Sequence, residues 1–132
     1  MEYRFLEHTA DIMFEAYGKS YPEALQNAAK AMFGVIGKAE EKEAAEFSAS
    51  AHNIGELTVH ILSDMLSHMD THEMVFSRIA VKEFDARHPS VSVIAYGERK
   101  RPRDSVKAVT YHELMVKEEE GKGWTIRILL DV

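Results

Sequence analysis

Two stretches carry apolar side chains at helical spacing, and most of what lies outside them reads as short strands. The chain must therefore pack two amphipathic helices against strands. The first stripe runs through Leu25, Ala28, Ala29, Met32, Phe33 and Ile36. Ser20-Tyr21-Pro22-Glu23 opens it as a capping box, with Pro22 in the first turn, where no intrahelical donor is needed. Gly37 marks its stop. The second stripe, Ile54, Leu57, Ile61, Leu62, Met65, Leu66 and Met69, starts at Asn53 or just before and ends near Asp70 or His72. Strands are expected at residues 3–6, 12–18, 47–52, 74–84, 91–96, 106–118 and 124–131, with 38–46 as a charged loop or frayed helix end. In the second strand Ile12, Phe14 and Ala16 share one face and Met13, Glu15 and Tyr17 the other. His88-Pro89 and Glu119-Glu120-Gly121-Lys122-Gly123 read as turns. This order predicts α+β architecture: two helices on one face of a mostly antiparallel sheet, in one domain spanning residues 1–132.

Composition removes several function classes. The 132 residues include no cysteine, which excludes disulfides, thiolate zinc sites and cysteine nucleophiles. A net charge of −6 argues against broad nucleic-acid binding through many phosphate contacts. No apolar run reaches the roughly 20 residues of a membrane span, and Met1-Glu2-Tyr3-Arg4 lacks the form of a secretion signal. A cytoplasmic protein without membrane contact is expected.

Four groups of residues bear chemistry. His8, Asp11 and Asp131 place oxygen donors and an imidazole beside apolar strands at opposite ends of the sequence. Carboxylates and carbonyls suit Ca²⁺, Mg²⁺ or Mn²⁺, and His8 serves as a ligand or as an outer partner. The alternative is that Asp11 caps a turn and Asp131 is solvated. Arg99, Lys100, Arg101 and Arg103 put four cations into five residues, read either as a contact for phosphate or an acidic partner, or as a solvated hairpin loop marked by Gly97 and Pro102. Lys107 opens a strand in which Lys107, Val109 and Tyr111 alternate with Ala108, Thr110 and His112; near Glu98, it is a proton-transfer or anion-contact candidate, or a strand-end salt bridge. His60, Asp64, His68 and His72 form a ridge at four-residue spacing. Such spacing can hold metal, but a boundary of polar residues beside the apolar arc is the favoured reading. Phosphate loops and nucleophile elbows are absent.

These motifs together resemble the archease family: His8-Thr9-Ala10-Asp11-Ile12, then Tyr17-Gly18-Lys19-Ser20, Tyr96-Gly97-Glu98, Val106-Lys107-Ala108-Val109-Thr110-Tyr111-His112 and the closing Asp131-Val132. The resemblance covers nearly the whole chain. It implies a non-enzymatic protein cofactor of RtcB-type RNA ligases in tRNA splicing and RNA repair. Such a cofactor promotes guanylylation and multiple turnover of the ligase and widens its nucleotide use beyond GTP, so contact with GTP or ATP and tRNA halves is indirect. It further implies a divalent ion, Ca²⁺ first and Mg²⁺ or Mn²⁺ otherwise, held by Asp11, Asp131 and an oxygen of Val132. His8, Glu98 and Lys107 are accessory, and residues 99–103 face ligase or nucleotide. The chain departs from the family in its short 99–105 segment and in His60, where a tryptophan is common. Two other readings compete: a stand-alone metal-dependent phosphoester hydrolase, and a nucleic-acid-binding or chaperone-like module.

Overall fold

The computed structural model describes residues 1–7 and 10–132. The element order is β1 (Tyr3–Leu6), β2 (Ile12–Gly18), α1 (Tyr21–Ile36), β3 (Glu43–Ser50), α2 (Ile54–His72), β4 (Met74–Asp85), β5 (Ser90–Arg99), β6 (Ala108–Glu119) and β7 (Gly123–Asp131). Both helices begin where local chemistry directs. The Ser20 hydroxyl accepts from the Glu23 N–H at 3.3 Å, and the Asn53 side chain accepts from the Glu56 N–H at 2.8 Å. α2 ends on Glu73 in the left-handed region, φ 50°.

The α+β class and antiparallel pairing are as expected, but the strands divide between two sheets, ordered β1-β2-β7-β6 and β3-β5-β4. Each helix packs on strands of both: α1 against β2 and β4, α2 against β6 and β3. One core unites them, with Phe14, Leu25, Phe33, Leu57, Met65, Phe76 and Ile126 all fully buried. Burying such side chains contributes about 1.5–3 kcal/mol each.

Three local expectations are corrected. Residues 43–46 are the first half of β3 rather than loop; their Ala and Glu side chains carry no strand signal, and pairing with β5 (Glu43↔Gly97 to Glu46↔Ile94) supplies the order. Gly97 is a strand residue, not a turn marker. A Cβ there would collide with the Val75 carbonyl oxygen, so glycine is needed where β4 shifts register between Phe76 and Arg78. The segment after β5 is not a hairpin, because β5 and β6 lie in different sheets and residues 100–107 cross between them.

The β6 alternation is also interrupted. Thr110 pairs with Leu129 and Met115 with Arg127, so the intervening residues bulge out with Glu113 at φ 54°. Lys107 and Tyr111 are exposed while Val109 is buried. The β6–β7 hairpin closes as expected, with a Lys122 N–H to Glu119 C=O bond of 2.9 Å and both Gly121 and Gly123 at positive φ.

Candidate functional site

Strand register brings the distant aspartates to one sheet end. β2 and β7 pair as far as Ile12 opposite Leu130; Asp11 directly precedes β2 and Asp131 is the last residue of β7. β6 adds Ala108 opposite Asp131, and the Lys107 N–H donates to the Asp131 carbonyl at 2.7 Å. Asp11 and Lys107, each directly before its strand, and Asp131 at the end of β7 thus lie at the same end of the β2-β7-β6 ladder. Asp11 and Asp131 are half-buried and Val132 is exposed. His8 lies outside the described residues. Among the described residues, no group of three or more His, Asp or Glu side chains is placed to hold an ion. The donors gathered here are two carboxylates and backbone oxygens.

Glu98 does not join them. It sits in β5, in the other sheet, and its carboxylate accepts from the Glu40 N–H at 2.6 Å and pairs with Lys42 at 3.6 Å. The Glu40 N–H, aided by Lys42 and Lys100, holds this carboxyl below its ordinary range. Its observed work is to fasten the loop between α1 and β3.

The basic segment is largely committed to helix ends. The Lys100 ammonium donates to the Lys38 carbonyl at 2.7 Å, and its N–H donates to the Glu73 carbonyl at the end of α2. The Arg103 and Asp104 N–H groups both reach the Ile36 carbonyl at the end of α1. The Arg103 guanidinium adds a bond to the Gly34 carbonyl at 3.4 Å and one to Asp104 at 3.1 Å. Cations at helix C-termini complement the backbone dipole, a local cause for this charge run. Arg99 pairs with Glu43 at 3.4 Å, and Arg101 is exposed.

On α2, His60 lies 3.7 Å from Glu56. His68 stacks on Phe76, meets Phe47 edge-on and sits 4.3 Å from the His72 ring. Partial burial, His72 and Arg99 lower its pKa. The ridge is thus tied into aromatic packing at its C-terminal end.

One charged cluster escaped the sequence pattern. Glu15 is only 6% exposed, on the β2 face shared with Asp11. Its carboxylate accepts from Arg127 at 2.8 and 3.1 Å, from Arg4 at 3.2 Å and from the Tyr17 hydroxyl at 3.0 Å. Burial alone would raise its pKa, but the bonds from Arg127, Tyr17 and Arg4 outweigh that and lower it. Only the register Arg4↔Glu15↔Arg127, a three-strand relation, reveals the group. A concavity of about 630 Å³ lies on the other sheet, lined by Ser48, Ser50, Glu83, Asp85, Ser90 and Ser92 among others.

The sequence profile of the Archease protein family (MTH1598/TM1083) matches residues 3–132. The chain belongs to the archease family. It is 36% identical to the protein archease of Methanosarcina acetivorans, over 99% of this chain and 96% of that one. It is 33% identical to the protein archease of Sulfurisphaera tokodaii, over 99% of each. The archease fold is evident in the solution structure of Methanobacterium thermoautotrophicum protein 1598, with a TM-score of 0.80 and 29% identity over 99% of both chains. The crystal structure of a Thermotoga maritima protein described as an archease, possible chaperone, superposes with a TM-score of 0.71, at 23% identity over 96% of this chain and 94% of that one. No helix of this archease, among the described residues, is long and apolar enough to cross a membrane.

Proposed function

We propose that this chain is a divalent-metal-binding, non-enzymatic protein cofactor that activates an RtcB-type RNA ligase in the cytoplasm during tRNA splicing. In this role it promotes guanylylation and multiple turnover of the ligase and broadens its nucleotide use. Membership of the archease family supports the reading, and one observation carries it. Two aspartates from opposite ends of the sequence stand at the same sheet end, Asp11 just before β2 and Asp131 closing β7, with the N–H of Lys107 fixing the Asp131 backbone.

The donor set fits a hard cation. Asp11 and Asp131 offer carboxylate oxygens, Val132 a backbone oxygen, and the chain has no thiolate to favour softer metals. Two carboxylates with water filling the remaining positions imply modest affinity. When bound, the ion supplies positive charge for the phosphate oxygens of a nucleotidyl transfer in the ligase pocket. Asp11 and Asp131 orient it, and the exposed Lys107 side chain is available to phosphate or ligase.

Multiple-turnover ligation by the ligase, with Asp11→Asn or Asp131→Asn in place of the wild-type cofactor and Ca²⁺, Mg²⁺ or Mn²⁺ added back after chelation, tests the proposal. Loss of stimulation by both variants is expected. Undiminished stimulation by both removes the metal from the mechanism. Phosphoester turnover by the purified protein alone would replace the cofactor reading with that of a hydrolase.

A further inference from the structure

The cluster around Glu15 has an unbalanced charge. One buried carboxylate is shared by two guanidinium groups, which leaves this three-residue cluster with a net charge of +1. Each guanidinium has five N–H donors in a planar fork, and Arg4 uses one of them on Glu15, Arg127 two. The Arg4 side chain is 56% exposed and that of Arg127 32%, against 7% for Glu15. The carboxylate is thus the floor of the cluster and the arginines are its rim. A pair needed only for stability is satisfied at one to one, and an exposed second arginine adds little. Two forks fixed by a buried anchor instead lose less freedom on meeting an oxyanion, and their geometry matches phosphate.

We propose that Arg4 and Arg127, oriented by Glu15, form a binding site for a single phosphate group. The site lies two pleats along β2 from Asp11, roughly 13 Å away at the usual strand rise. It needs no metal, so it stands independently of the ligase-cofactor reading. It also differs from the basic crossover, where Lys100 and Arg103 are tied to helix-end carbonyls. The ligand is inorganic phosphate or the phosphate of a nucleotide.

The test is a two-dimensional NMR titration of the metal-stripped protein, following the Arg Nε–H signals and backbone amides, with inorganic phosphate in one arm and GTP in the other. Saturable shifts at Arg4, Arg127 and Tyr17 are expected. Arg4→Gln should weaken binding about tenfold, the loss of one charge-assisted bidentate contact, while Arg101→Gln leaves it unchanged. Tighter binding of GTP than of phosphate assigns the site to nucleotides, and equal binding assigns it to phosphate itself. The exposed Arg4 is chosen because its replacement leaves Arg127 and Tyr17 on Glu15; a melting curve confirms that Arg4→Gln folds. Absence of shifts at these residues, shifts centred on residues 99–103, or unchanged affinity in Arg4→Gln would overturn the proposal.

Discussion

The crossover of residues 100–107 and the sheet end bearing Asp11 and Asp131 are both charged, and both look functional in sequence. They differ in what their charges face. In the crossover, Lys100 and Arg103 neutralise carbonyls left open where α1 and α2 stop. At the sheet end, the β2–β7 pairing leaves Asp11 and Asp131 at one edge, and the Lys107 N–H is taken up by the Asp131 backbone carbonyl rather than by either carboxylate. Density of charge is therefore a poor guide to a site. What each charge is bonded to is a better one.

The largest effect should come from Gly97, in β5 three residues before the crossover begins. Gly97→Ala drives a methyl into the β4 backbone at Val75 and Phe76, and a loss of roughly 3 kcal/mol or more in chemical denaturation is expected. If the crossover is a structural strap, divalent-ion affinity at Asp11 and Asp131 should persist in whatever fraction remains folded. Next comes the aspartate pair. Asp11→Asn and Asp131→Asn should each lower Ca²⁺ affinity at least about tenfold by calorimetry. Each should also leave the melting temperature of the metal-free protein equal or higher, as expected of side chains that serve an ion rather than the fold. A fall in metal-free stability would show instead that the carboxylates are structural.

Much of this was readable from residues that act locally. Ser20 and Asn53 cap where their side chains reach the next turn, and the helix boundaries followed to within a residue or so. The early half of β3 was not readable, because its alanines and glutamates are ordered only by β5. The division into two sheets was hidden for the same reason: alternation reports that a strand has two faces, not which strand lies beside it. For the site, Asp11 and Asp131 were legible as candidates because each adjoins an apolar strand. Glu98 was grouped with Lys107 by closeness in sequence, and the crossover carries Lys107 to the other sheet. Glu15 passed as an ordinary strand glutamate, since its partners lie 11 and 112 residues away.

Glu15 sharpens the contrast from a third position, a carboxylate with its countercharges in place. Its folded-state pKa is held below the ordinary 4.5 despite burial. The resulting stabilisation is fully present above pH 4.5 and is lost as pH falls through the folded value. Glu15→Gln should cost about 1–3 kcal/mol at neutral pH and flatten the acid limb of stability against pH. The aspartate variants should show no such loss. An acid limb as steep in Glu15→Gln as in the wild type would mean that other carboxylates govern acid unfolding.

The smallest effect tests the crossover itself. Arg103→Ala and Lys100→Ala each remove a cation from the carbonyls around the end of α1, worth about 0.3–1 kcal/mol. Added salt should shrink both differences, because these side chains are exposed and screened. Ligase stimulation and divalent-ion affinity should stay at wild-type levels once the proteins are compared fully folded. The opposite pattern, unchanged melting with weakened stimulation, would break the contrast. It would mean that the helix-end bonds are incidental and that these cations reach the ligase or its nucleotide. Arg101 discriminates between the two outcomes, since it is exposed within the same segment. Under the strap reading Arg101→Ala changes neither melting nor stimulation, whereas a contact surface would register its loss alongside that of its neighbours.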